Sequence, residues 1–148
     1  MVLARLKTLL FLGGMGVALS CSHGAGAASE SPVSELTVFY LPFSVETFRP
    51  VTVDTIEQDA RCVFSFEPSA QEVKELRGYF GVLERGGFDK KRVRLMIVGL
   101  EDKAVFMDAD GGLRRGSANV GRLQPGTFKS LEVFIENVAR REGCDPHS

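Results

Sequence analysis

The chain has no tryptophan, two histidines and three cysteines in 148 residues, and each scarcity closes a class of chemistry. The histidines are His23, near the N-terminus, and His147, beside the C-terminal residue. The body of the chain therefore lacks the usual general base and the commonest zinc ligand. Neither a Ser-His-Asp nor a Cys-His nucleophile assembles unless the tail folds back. No C-x-x-C pair is present, which removes the thiol-redox and zinc-ribbon patterns. No glycine-rich phosphate loop leads from a strand pattern into a helix pattern. Net charge is also scarce: the formal value of −1 offers no overall attraction for nucleic acid or an anionic membrane. No cofactor and no metal are expected.

The one long apolar run, from about Leu9 to Leu19, is too short for a permanent membrane span. It follows Arg5 and Lys7 and precedes small residues, the layout of a secretory signal. Ala25-Gly26-Ala27 supplies an A-x-A cleavage site, so residues 1–27 are expected to be removed and the mature chain to begin at Ala28. Cys21 is the alternative. It ends the apolar run after a small residue and could be lipidated if the segment is a bacterial lipoprotein signal, although Ala18-Leu19 departs from the usual spacing. Either route exports the protein, with a periplasmic or secreted location or a lipid anchor in the envelope membrane. Removing Arg5 and Lys7 from a chain of formal charge −1 leaves a mildly acidic mature domain of −3.

About 120 residues then remain, enough for one domain with a real core and too few for two. Cys62 and Cys144 are an even pair in an exported domain and read as a disulfide. The domain is expected over 35–148, after a small, polar, flexible leader at 28–34.

Inside it, "ELTVFYL" (35–41) reads as a strand stopped by Pro42, and Asp54 with Glu57 as the start of a short helix. "CVFSFE" (62–67) alternates, with Cys62, Phe64 and Phe66 on one face. Ser69 and Glu72 form a capping box for a helix running to about Arg85, ended by Gly86, with Val73, Leu76, Phe80 and Leu83 on one stripe. Gly78 and Gly81 weaken that helix by on the order of 1 kcal/mol each; close packing against the sheet would justify them, and a flexible helix is the other reading. "RVRLMIVG" (92–99) is the strongest strand pattern, with Val93, Leu95 and Ile97 on one face, and "AVFMD" (104–108) returns beside it. "GSANVGRLQPG" (116–126) reads as loop. "TFKSLEVFIENVARREG" (127–143) is the clearest helix, with Phe128, Leu131, Phe134, Ile135 and Val138 on its apolar side and Gly143 as its cap. This order predicts an α+β fold: a mainly antiparallel sheet of about 4–5 strands with two amphipathic helices packed on one face.

"AVFMDADGGLRRG" (104–116) raises a choice between calcium loop and turn. Counted from Asp108, the fifth, sixth and twelfth positions are Gly112, Leu113 and Asn119, where an EF-hand needs an oxygen ligand, a glycine and a glutamate. The stretch is therefore read as a hairpin turn at Asp110-Gly111. Asp108 and Asp110 could alternatively share a face and supply a carboxylate pair for hydrolysis.

Two surface features remain. Lys90, Lys91, Arg92 and Arg94 cluster at a strand entrance, where an acidic partner or phosphate could sit unless the cluster only solvates or protects the strand edge, and Arg114 and Arg115 could extend the patch. The connection "LPFSVETFRPV" (41–51) sets Phe43, Glu46, Phe48 and Arg49 among prolines, the composition of a protein-binding loop. The expectation is a small exported binding protein of a bacterial-type envelope, an inhibitor or immunity-like protein, contacting another envelope protein through that loop. Nucleic acid is not an expected partner, and the membrane is involved only through the signal or a lipid on Cys21. A carboxylate-dependent hydrolase built on Asp108 and Asp110, or a structural envelope component, is the alternative.

Overall fold

The computed structural model describes residues 32–148. The signal expected at 1–27, the lipidation site Cys21 and most of the leader lie outside the described residues. Val33 already packs against the core, so the packed domain begins slightly before Glu35.

Period-two alternation sets the first pair of strands. In β1 (Leu36–Tyr40), Leu36, Val38 and Tyr40 are buried; in β2 (Cys62–Phe66), Cys62, Phe64 and Phe66 are buried while Val63 and Ser65 are exposed. The two run antiparallel with Tyr40 opposite Cys62 and Leu36 opposite Phe66. Between them lies a single turn of helix, α1 (Ile56–Asp59). Its N-cap residue is Thr55, not the expected Asp54, and no side chain caps it.

Ser69 and Glu72 form the expected capping box, each bonding the other's backbone N–H, and start α2 (Ala70–Tyr79). The helix stops six residues short of Arg85. A Cβ on Gly78 would meet nothing within 4 Å, so close packing does not explain that glycine. Gly78 and Gly81 instead weaken the helix where it ends, and Leu83 moves from the expected helical stripe into a two-residue strand, β3 (Leu83–Glu84).

The rest of the sheet is a meander: β4 (Val93–Val98), β5 (Val105–Asp108), β6 (Gly112–Arg115) and β7 (Ala118–Leu123). β7 occupies the segment expected to be loop and is bonded to β6 on one side and β3 on the other. The sheet is thus seven-stranded rather than four- or five-stranded, antiparallel throughout, in the order β2-β1-β4-β5-β6-β7-β3.

α3 (Pro125–Arg141) closes the chain with Pro125 in its first turn. Leu131, Ile135 and Val138 join Leu76 and Phe80 over the face that carries Val38, Phe64 and Ile97, so the two longer helices cover one side of the sheet. Gly143, at φ 81°, ends α3 in a Schellman motif: its N–H donates to Arg140 O and that of Cys144 to Ala139 O, at 3.1 and 2.8 Å. The motif delivers Cys144 to Cys62, and the two form a disulfide across 82 residues with their Cα atoms 5.8 Å apart. The bridge ties the end of α3 to the edge strand β2.

The opposite face is covered as well. Leu41, Val51, Ile56, Val93 and Met96 form a second, smaller cluster under α1 and its flanking loops. Val93 reaches it because the ladder slips at Arg94: Val93 pairs with Asp108 and Leu95 with Met107, leaving Arg94 as the extra residue of a bulge. The expected grouping of Val93 with Leu95 and Ile97 therefore fails at its first member.

Candidate functional site

The loop after β1 is held down at several points. Pro42 O accepts the Val45 N–H at 3.0 Å, and Val51 O accepts the Val93 N–H at 2.9 Å, which lays the end of the loop parallel to the start of β4. Arg49 is ion-paired to Asp59 in α1. Arg94, displaced from the ladder by the bulge, donates to Val93 O at 3.0 Å and reaches across to Val45 O at 3.1 Å. A strand-borne arginine thereby clamps the loop.

These tethers bring together two features that the sequence presents apart. The loop from Phe43 to Pro50 forms one wall of an open cleft of about 590 Å³; Asp89, Lys91, Arg92 and Arg94 form the other. The four loop residues singled out in the sequence divide between two roles. Phe48 is fully exposed and Glu46 is exposed, both on the solvent side of the cleft wall. Phe43 is only 8 % exposed, its ring edge-on to Tyr40 and to Phe128 of α3, with centroids 5.6 and 4.6 Å apart. It floors the cleft as a core residue and is not available as a binding anchor.

The basic cluster also divides. Lys90 and Lys91 are exposed, Arg92 is paired with Asp110 at 2.6 Å, and Arg94 is 4 % exposed. Burial is the main influence lowering the Arg94 pKa from the usual guanidinium value; the charge of Arg92 adds to it and that of Asp110 opposes it. Arg94 nonetheless stays cationic at neutral pH. Arg114 and Arg115 do not line the cleft. Arg114 lies over the Phe88 ring, 5.9 Å from its centroid, and Arg115 turns to Glu101 and to the Phe80 carbonyl, both at 3.1 Å.

Asp108 and Asp110 do not share a face. Asp108 is fully buried: its Oδ1 accepts the N–H groups of Asp110 and Gly112 at 2.9 and 2.8 Å, and its Oδ2 accepts that of Asp89 at 2.6 Å. Asp110 lies at the surface with Arg92. The Asp110-Gly111 turn is in place, with Gly111 at φ 81°. Among the described residues, no group of three or more His, Cys, Asp or Glu side chains is arranged to hold a metal ion. His147 lies 3.1 Å from Glu136, away from the cleft.

Sequence reasoning missed Asp89 as a wall residue and Arg94 as the clamp. A signal for Arg94 existed: it is the one charged residue inside the run Val93–Val98. A larger concavity, about 870 Å³, lies between α2 and α3, bordered by Tyr79 and Phe134 and crossed by the Arg141–Glu72 ion pair at 2.7 Å. It contains no residue that the sequence marks as functional. Among the described residues no helix is long and apolar enough to cross a membrane. Comparison with protein-family models, curated proteins and solved structures finds no match, so what the cleft can bind is read from its own side chains.

Proposed function

We propose that this chain is a small exported protein of a bacterial-type cell envelope that acts by binding another protein, in the manner of an inhibitor or immunity protein, with the 43–50 loop and its cleft as the contact surface. The observation that carries this reading is Phe48, a fully exposed aromatic on a loop tethered by Arg94 and Arg49. An apolar side chain held in water by a braced backbone loses little conformational freedom on binding, which is how aromatic anchors contribute to interfaces. The Cys62–Cys144 bridge fits an oxidising extracellular or periplasmic compartment.

The reading is tested by placing a photo-crosslinking phenylalanine analogue at position 48 in the native host, with position 63 as control. Val63 is exposed on the edge strand and lies outside the cleft. A discrete adduct formed at 48 and absent at 63 supports a protein partner at this loop. Equal adduct patterns at both positions, or none at 48, remove the loop from the binding surface.

A further inference from the structure

The cleft wall holds a positive charge that has no direct ion-pair partner among the described residues. Arg94 is 4 % exposed, yet among the described residues no carboxylate comes within ion-pair distance of its guanidinium. Two of its nitrogens donate to the carbonyls of Val93 and Val45; the third, Nε, is shielded from solvent and donates to nothing. Buried guanidinium groups are ordinarily paired, because a cation removed from water without a partner is strongly destabilising. The neighbouring arginines differ: Arg49 and Arg92 both line the cleft, and each has its own aspartate, Asp59 and Asp110. Arg94 alone among the three is held in place by carbonyls; it lines the same cleft, and the charge of Asp110, already paired with Arg92, reaches it only beyond ion-pair distance.

We infer that the cleft is a carboxylate-binding site, in which an acidic side chain of the protein partner is seated against Arg94, with Lys91 and Arg92 beside it. This rests on the protein-binding reading above and specifies the partner's chemistry. A protein partner presents its negative charge as a carboxylate, which is the guest that the protein-binding reading implies. Glu46 and Asp89 share the walls with Arg49, Lys91, Arg92 and Arg94, so the lining carries charge of both signs. Phe48 at the rim gives the residue next to that carboxylate an apolar surface, so the site matches a short acidic segment that also carries an apolar side chain.

The test is a nuclear magnetic resonance titration of the isotope-labelled exported protein with three probes: a blocked tetraglutamate peptide, a blocked tetralysine peptide and inorganic phosphate. Tetraglutamate is expected to shift the Arg94 Nε–H and the Val45 and Lys91 amides saturably, while tetralysine does not. Arg92→Ala should weaken that binding several-fold, and Arg94→Lys, which keeps a charge but replaces the carbonyl-anchored guanidinium with a flexible ammonium, about tenfold. If Arg94→Lys fails to fold, the wild-type shifts alone decide. Shifts confined to Lys90 and Lys91, or undiminished binding by a folded Arg94→Lys, would make Arg94 a clamp on the loop and nothing more. Tighter binding of phosphate than of the peptide would overturn the carboxylate assignment. No probe requires Phe48, so failure here leaves the crosslinking result standing, whereas saturable tetraglutamate binding without an adduct at position 48 would keep the anion site and overturn its assignment to a protein partner.

Discussion

Gly112 carries no side chain where Asp108 leaves no room for one: a Cβ at Gly112 would overlap Asp108 Oδ2 and the carbonyl of Gly87. The same carboxylate accepts three backbone N–H groups, from Asp89, Asp110 and Gly112. Asp108 thus fastens the β5–β6 hairpin to the segment that borders the cleft. Asp108→Ala strands those donors in a buried site and is expected to lower the unfolding free energy by about 3 kcal/mol, read by urea denaturation. A loss below about 0.5 kcal/mol would mean that the amides find other partners.

The two loop phenylalanines should separate cleanly. Phe43→Ala empties a space between Tyr40 and Phe128 and is expected to cost about 3–5 kcal/mol of stability. Phe48→Ala removes a ring that touches water on all sides and should leave stability within about 0.5 kcal/mol while weakening partner binding. Denaturation midpoints of the two variants check this directly; a destabilised Phe48→Ala would place that ring in the folded interior.

Replacing both bridged cysteines by serine releases a constraint spanning 82 residues. The chain-entropy estimate for a loop of that length is about 4–5 kcal/mol, an upper figure. The variant should melt well below the oxidised protein, and hydrogen exchange should rise first in β2 and the last turn of α3, which the bridge joins. Uniform acceleration across the sheet would point to a global rather than a local tie.

Acid should weaken the contact between the two long helices. The Arg141 guanidinium bonded to Glu72 is the main influence holding that carboxyl below its ordinary value of 4.5, and the Ser69 N–H adds to it. A carboxylate with a depressed pKa contributes stability in full above its unfolded value, and the contribution is lost as pH falls through the folded one. Glu72→Gln retains the cap geometry without the titration. Its melting temperature should fall less than the wild type's between about pH 5 and pH 3. Parallel pH curves for the two proteins would remove Glu72 from the acid response.

Local pattern was enough wherever a segment's neighbours in sequence decide its structure. The alternation of Cys62, Phe64 and Phe66, the Ser69–Glu72 box, the turn at Asp110-Gly111 and the stripe and cap of α3 all fall in this class. β7 was illegible because Ala118, Asn119 and Gly121 are poor strand formers; the segment is extended only because β6 and β3 pair with it on both sides. Leu83 kept helical spacing past the end of its helix, and only the β7 partner reveals its state. At the site, the proline-braced loop was visible, but the burial of Phe43 depends on Phe128, far along the chain. The slip at Arg94 depends on how β5 pairs with β4, which no local pattern encodes.

The meander has a kinetic consequence. Strands β4 to β7 are consecutive both along the chain and across the sheet, so each pairing closes a short loop. Cys62 instead pairs with Cys144, 82 residues along the chain and just beyond the end of the final helix. Oxidation is therefore expected to follow the pairing of the meander rather than to direct it. In pulse-labelled refolding, residues 93–123 should gain protection while both thiols are still free, leaving disulfide closure as the final irreversible stroke of maturation.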